Sequence, residues 1–295
     1  MLGWRLTVSA ILIPSFFGLC YADARMGDRA PILLVLCLLL AVRASWEFLE
    51  LLKTRSFKTG FPLVAGCTVV VVAASWTRAL FPEATVTSLE MILLTWVGSV
   101  LVLFINAAFR YETPGHHMES LAAEVLCVSY VGALLALTTQ MRWLAGSDAG
   151  YLLIGSAIIA AKSGDIGAYT LGRLFGKKKM IPRLSPGKTW AGAYGAVLGA
   201  VLGSWAWLTF STPLFNSTWK PPALWAIVIF GVVIGIIGLI GDLCESMIKR
   251  DVEKKDSAAL MPGFGGLLDL LDSILFAGPV AYVLWRLLPL TTWVT

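Results

Sequence analysis

Residues 223–246 read Ala223-Leu-Trp-Ala-Ile-Val-Ile-Phe-Gly-Val-Val-Ile-Gly-Ile-Ile-Gly-Leu-Ile-Gly-Asp242-Leu-Cys-Glu245-Ser246. The stretch from Ala223 to Gly241 carries no charge, and Asp242 ends it. About 20 apolar residues is the helix length that crosses a hydrocarbon layer roughly 30 Å thick. Immediately beyond it, Glu245, Ser246, Lys249, Arg250, Lys254, Lys255, Asp256, Asp269 and Asp272 crowd residues 242–272, before a second apolar stretch. Charges of both signs at a membrane boundary are costly, so by default they mark a functional site. Carboxylates suited to a divalent metal stand here beside lysines and an arginine suited to phosphate. That pairing points to phosphoryl-group chemistry on a lipid.

The same apolar pattern repeats outward along the chain. The 295 residues are 58% hydrophobic and 14% charged, with a mean hydropathy of +0.80. A soluble domain runs at about 45–50% apolar and 25% charged. The spacing predicts an all-α, polytopic transmembrane protein of about nine spans: 5–23, 31–52, 61–81, 88–109, 121–140, 150–172, 190–211, 223–246 and 271–293. Helices satisfy their own backbone where lipid offers no partner. The first span has the length of a signal peptide, but no small-residue cleavage site follows Leu19-Cys20-Tyr21, so it is expected to stay as a helix.

Loop charges set the expected orientation. The loops after the second, fourth, sixth and eighth spans hold fourteen basic residues, against five in the alternate loops (Arg25, Arg29, Arg78, Arg142 and Lys220). The positive-inside rule then places the first set, and the polar segments 173–189 and 247–270, in the cytoplasm. The expected location is the cell (inner) membrane, multi-pass, with the active site facing the nucleotide pool. The net charge of +5 is the ordinary bias of loops near anionic lipid and calls for no nucleic acid.

Residues 1–149 read as scaffold spans and 150–295 as a catalytic half, within one integral unit. The five cysteines, Cys20, Cys37, Cys67, Cys127 and Cys244, all fall in apolar spans and read as small hydrophobic packers. His116 and His117 read as a solvated loop pair. Gly195, Gly199 and Gly203, then Gly231 and Gly235, recur at a spacing that lets helices approach closely. Packing inside the chain is the plain reading, and a homodimer interface is the alternative.

Four constellations carry candidate chemistry. Asp242, Glu245, Ser246, Lys249 and Arg250 follow an i, i+3, i+4, i+7, i+8 pattern and form one polar stripe. Pro262-Gly263-Phe264-Gly265-Gly266 opens a helix whose free N–H groups suit an anion. Asp269 and Asp272 share a face at that helix's beginning, as hard ligands for Mg²⁺ or as N-capping groups. Lys162, Asp165 and Tyr169 lie on one face inside the sixth span. Finally, Pro182-Arg-Leu-Ser185-Pro-Gly-Lys188-Thr189 ends like a Walker A motif, but Pro182 stands where its first glycine is required. What remains is a basic loop with hydroxyls that enters a helix and suits a triphosphate.

In this order the motifs resemble the phosphatidate cytidylyltransferases (CDP-diacylglycerol synthases). Ser246-Met-Ile-Lys249-Arg250, Lys255-Asp256, Pro262-Gly-Phe264-Gly-Gly266 and Asp269-Leu-Leu-Asp272 match that family's signature. Asp165-Ile-Gly-Ala-Tyr169 and Ser185-Pro-Gly-Lys188-Thr189-Trp190 match its upstream landmarks. The chain departs from the pattern at Phe264, where His is usual, and at Leu270, where Arg is usual. Gly187 and Ala191 likewise replace a Lys and a Glu.

The resemblance implies transfer of the cytidylyl group of CTP to phosphatidic acid within the lipid bilayer, with Mg²⁺ as cofactor. It implies Asp242, Asp269 and Asp272 as metal ligands. Asp242, Asp269, Lys249 and Arg250 become the catalytic set. Ser185, Lys188, Thr189, Ser246, Lys255, Asp256 and Asp165 become substrate contacts. A divergent relative acting on another lipid phosphate, or an inactive one, is the alternative. A secondary transporter is a further one, but it calls for polar groups near the midplane in both halves.

Overall fold

The computed structural model describes residues 15–53, 59–255, 257–258 and 265–293. Among them, seven helices are long and apolar enough to cross a membrane. They are α1 (Pro31–Leu52), α2 (Phe61–Leu80), α3 (Ser88–Phe109), α4 (His117–Leu144), α6 (Trp190–Phe215), α7 (Leu224–Asp251) and α8 (Leu267–Leu287). An eighth, α5 (Gly146–Phe175), is 30 residues long, but Lys162-Ser-Gly-Asp165 interrupts its apolar run and it is not among the seven. Residues 15–24 are also helical, so the expected first span begins outside the described residues. The seven are counted among the described residues, so the expected count of nine is not confirmed, while the multi-pass helical class stands.

Local chemistry explains the helix ends. Pro31 and Pro62 sit in the first turns of α1 and α2, where a missing N–H costs nothing. Thr87 and Glu90 close a capping box at the start of α3, with Glu90 N donating to Thr87 Oγ1 at 3.2 Å and Thr87 N donating to Glu90 Oε2 at 2.7 Å. Two short antiparallel ladders, not foreseen in an all-α chain, accompany the helices. One joins β1 (Lys179–Ile181) to β2 (Ser185–Thr189), and the other joins β3 (Trp219–Lys220) to β4 (Thr292–Trp293).

The chain divides into two compact units. Residues 1–140 and 251–270 form the first; residues 141–250 and 271–295 form the second. In the first, Phe48, Val64, Val71, Trp76 and Leu103 are fully buried, and Trp76 Nε1 donates to Arg29 O at 3.0 Å. In the second, glycines bring helices to backbone contact. A Cβ at Gly167 would collide with the backbone oxygen of Gly195, and one at Gly199 with that of Ser163. A Cβ at Gly231 or Gly235 of α7 would likewise crowd the backbone of α6, 2.5 Å from Val201 Cα and 2.9 Å from Val197 Cα. The recurring glycines are thus used inside the chain. Two indoles tie the same unit together, Trp207 Nε1 to Leu152 O at 2.8 Å and Trp285 Nε1 to Ser156 Oγ at 2.9 Å.

Candidate functional site

The polar stripe of α7 turns inward. Glu245, Ser246 and Lys249 are buried while Met247 is exposed, so this is no solvated helix end. Lys249 Nζ lies 3.0 Å from Glu245 Oε2, one turn back. Asp242 begins the stripe, and Ser246 Oγ donates to its Oδ1 at 3.4 Å. Arg250 Nε donates to Leu184 O at 3.3 Å, which ties the end of α7 to the β1–β2 turn.

That turn explains the basic loop of the sequence. Residues 179–189 form a hairpin, and Thr189 ends it as the N-cap of α6, its Oγ1 accepting from Gly192 N at 3.1 Å. Lys188 therefore has a fixed origin. Its Nζ lies 2.9 Å from Asp242 Oδ2 and is closed off from solvent in a geometry short of an aligned hydrogen bond. An ammonium brings three donors, so this one suits further anionic oxygens. Ser185 is half-buried and Gly187 exposed on the same hairpin.

Beside Asp242, α7 and α8 meet closely. A Cβ on Gly241 would come within 2.7 Å of the backbone oxygen of Asp272. The Asp272 carboxylate accepts from Ser273 N and lies 3.9 Å from Lys162 Nζ. Lys162 Nζ is 2.9 Å from Asp165 Oδ2 and donates to Ser273 Oγ at 2.9 Å. Ser273 Oγ in turn lies 3.1 Å from Asp165 Oδ2. The expected Lys162–Asp165 pair is thus one edge of a four-membered cluster. Tyr169, expected on the same face, is exposed and accepts from Arg173 Nη1 at 3.0 Å.

Asp269 belongs to the first unit and has a defined local task. It is the third residue of α8, and its Oδ2 accepts from Gly266 N at 2.7 Å, the back-reaching half of a capping box. The same oxygen accepts from Ser257 N at 2.9 Å and Ser257 Oγ at 2.8 Å. Leu268 N donates to Glu47 Oε2 of α1 at 2.9 Å. The anion expected at this glycine-rich turn is, for these two N–H groups, the chain's own carboxylate. Gly265 adopts φ +83°, and a Cβ on Gly266 would overlap both Ser257 Oγ and Glu47 Oε2. The two glycines therefore serve different needs, one conformational and one steric.

Lys255 is exposed. Asp256 and Phe264 lie outside the described residues. Cys20, Cys37, Cys67 and Cys127 are buried and Cys244 is partly so. His116 is exposed, with Nδ1 3.3 Å from Glu119 Oε1. Sequence reasoning missed Glu47, Ser257 and Ser273. Only Glu47 carried a signal, as a carboxylate within an apolar span.

A model of the Cytidylyltransferase family matches residues 4–288. The chain is 32% identical over 187 residues to a phosphatidate cytidylyltransferase of Haemophilus influenzae, covering 63% of this chain and 64% of that protein. It is 33% identical over 177 residues to the Mycobacterium bovis phosphatidate cytidylyltransferase, covering 60% and 54%. Over 162 residues it is 38% identical to the uncharacterized protein YnbB of Escherichia coli, covering 55% and 50%. The chain belongs to the cytidylyltransferase family. Its matches span between half and just under two thirds of these relatives' own lengths.

Proposed function

We propose that this protein transfers the cytidylyl group of CTP to phosphatidic acid, forming CDP-diacylglycerol and pyrophosphate, at the cytoplasmic face of a cell (inner) membrane. The observation that carries the reading is the Lys188–Asp242 contact at 2.9 Å. It sets a phosphate-binding cation from the hairpin against a carboxylate at the end of an apolar span. Family membership and two relatives named phosphatidate cytidylyltransferase support it.

The donor set suits Mg²⁺. Among the described residues no group of three or more Asp, Glu, His or Cys side chains could hold a metal alone. Mg²⁺ asks for less, one or two carboxylates completed by substrate phosphates and water. We assign it to Asp242 and Asp272; Asp269 enters by the resemblance, on the same helix one turn before Asp272. Held by these carboxylates, the ion would supply Lewis-acid stabilisation of the charge that develops on pyrophosphate as it leaves.

The remaining work falls to the chain's own residues. The lipid phosphate is already an anion, so its oxygen attacks the α-phosphorus of CTP with little help from a base. The bond from that phosphorus to the bridging oxygen breaks, and pyrophosphate leaves with the electron pair. Positioning and electrostatics supply most catalysis in such transfers. Lys188, with Ser185 and Thr189 on the same hairpin, binds the nucleotide phosphates. Lys249, Arg250 and Lys255 neutralise the remaining charge on the two substrates.

A second reading keeps the chemistry and changes the acceptor to another lipid phosphate. The departures at Gly187, Ala191, Phe264 and Leu270 favour it. One experiment tests both. Purified protein is given α-³²P CTP, Mg²⁺ and phosphatidic acid or another lipid phosphate, with EDTA as control. Label passing into chloroform-soluble product with phosphatidic acid, and lost with EDTA, is the expected result. No labelled lipid from folded protein with any acceptor would overturn the proposal.

A further inference from the structure

Glu47 is fully buried in the half of the chain whose sequence reads as scaffold. A carboxylate inside an apolar span is expensive and is retained where it holds something. Here it holds the entrance of α8. Its Oε2 accepts from Leu268 N at 2.9 Å and lies 3.2 Å from Ser257 Oγ, and its Oε1 is 2.9 Å from Arg43 Nη2. Ser257 Oγ lies closer to Asp269 Oδ2, at 2.8 Å, and Ser257 N donates to that oxygen as well. Ser257 has one hydroxyl proton. Given to Asp269, it leaves Glu47 to hold the serine through Leu268 and the packed turn; given to Glu47, it leaves Asp269 to the two backbone donors. Either way the two carboxylates share one hydroxyl, and Gly266 is the residue that leaves room for it.

We infer that Glu47 is a positioning residue of the cytidylyl-transfer site, orienting Asp269 through Ser257 and the first turn of α8. The inference rests on the reading of Asp269 as a metal ligand. Residues that orient a metal's ligands typically contribute about 10–100-fold to metal affinity or activity.

The test uses the full-length protein in detergent or liposomes. Mn²⁺ affinity is read by electron paramagnetic resonance, and kcat and KM by label transfer, for Glu47→Ala, Glu47→Gln, Ser257→Ala and Asp269→Asn. Glu47→Ala should weaken Mn²⁺ binding and lower kcat by about 10–100-fold with KM for CTP little changed. Glu47→Gln, which keeps an acceptor for Leu268 N–H, should recover part of both, and Ser257→Ala should fall between them. In a double variant with Asp269→Asn, the Glu47→Ala effect on Mn²⁺ should vanish. Normal Mn²⁺ affinity and kcat per folded molecule in Glu47→Ala, with only the melting temperature lowered, would overturn the inference. If Glu47→Ala does not fold, Ser257→Ala and Glu47→Gln decide by the same readouts. Unchanged Mn²⁺ affinity in Asp269→Asn would instead sink the metal reading itself, a distinct failure.

Discussion

Lys188 Nζ rests 2.9 Å from Asp242 Oδ2, an ammonium seated where the proposed reaction needs a divalent cation. The lysine is delivered by a hairpin and the aspartate by the second half of α7. Under the proposed function, a divalent cation would compete with the lysine for this carboxylate in the nucleotide-free protein, and bound CTP would offer the lysine phosphate oxygens instead. Lys188→Met should therefore have opposite effects on two affinities. Mn²⁺ binding without nucleotide should tighten several-fold, while KM for CTP should rise by about tenfold, equivalent to about 1.4 kcal/mol. Manganese titrations with and without CTP check this. Equal weakening of both would mean that Lys188 only supports the fold.

Gly187 precedes that lysine on the hairpin, and a Cβ there meets no atom within 4 Å. The space is open for the lysine that the resembled family usually has. Gly187→Lys should fold normally, lower KM for CTP, and make that KM rise more steeply with salt, because an exposed cation is screened. A salt series on the variant and the parent is sufficient. A raised KM would show that the nucleotide does not approach from this side.

How much of this was legible in the sequence depends on the range of the interaction. The apolar runs announced the helices because a bilayer demands length, and Pro31–Leu52 and Ser88–Phe109 fall where expected. The stripe from Asp242 to Arg250 and the Lys162–Asp165 pair were legible because helical spacing alone puts their members on one face. The β1–β2 hairpin was not. Its strands have three and five residues, and Pro186-Gly187 conceals any alternation. Glu47 stands in the sequence as one carboxylate within an apolar span, and its partner Ser257 lies 210 residues away. No local pattern carries that distance. The last apolar run was placed at 271–293, yet the helix spans Leu267–Leu287. It starts just after the left-handed Gly265 and stops before Pro289, two features whose effect depends on the turn they sit in.

Gly199 faces the backbone oxygen of Ser163 where α5 and α6 cross. A methyl group there must push two helices apart, and overpacking of this kind costs about 1–3 kcal/mol. Gly199→Ala should lower the melting temperature in detergent and reduce the yield of folded protein. Gly66→Ala is the contrast, because a Cβ on Gly66 meets nothing within 4 Å. Alanine at such a helix-interior site should add about 0.5–1 kcal/mol. Equal melting temperatures for the two variants would contradict the crossing.

Asp269→Asn separates capping from catalysis. The amide oxygen still accepts from Gly266 N and Ser257 N, so the first turn of α8 should persist and the protein should insert into membranes. Cytidylyl transfer should nevertheless be abolished, since the amide carries no charge for a dication. Near-parental turnover would remove Asp269 from the metal site and leave it a capping residue.

Lys162 ties the remaining cluster together, and its removal should be felt in two ways. Its ammonium is 2.9 Å from both Asp165 Oδ2 and Ser273 Oγ, and 3.9 Å from Asp272 Oδ1. Lys162→Met leaves two carboxylates facing each other across an apolar side chain. The unpaired groups should cost about 1–3 kcal/mol of stability, read as a lower melting temperature. A dication at the same carboxylates can replace the lost positive charge. Added Mg²⁺ should therefore raise the variant's melting temperature by more than the parent's, while Ca²⁺-free buffer with EDTA should widen the gap. Label transfer by the variant should fall even at saturating Mg²⁺, because Ser273 and Asp165 lose the donor that orients them. A magnesium response identical to the parent's would place Lys162 outside the metal's reach and confine it to holding α5 against α8.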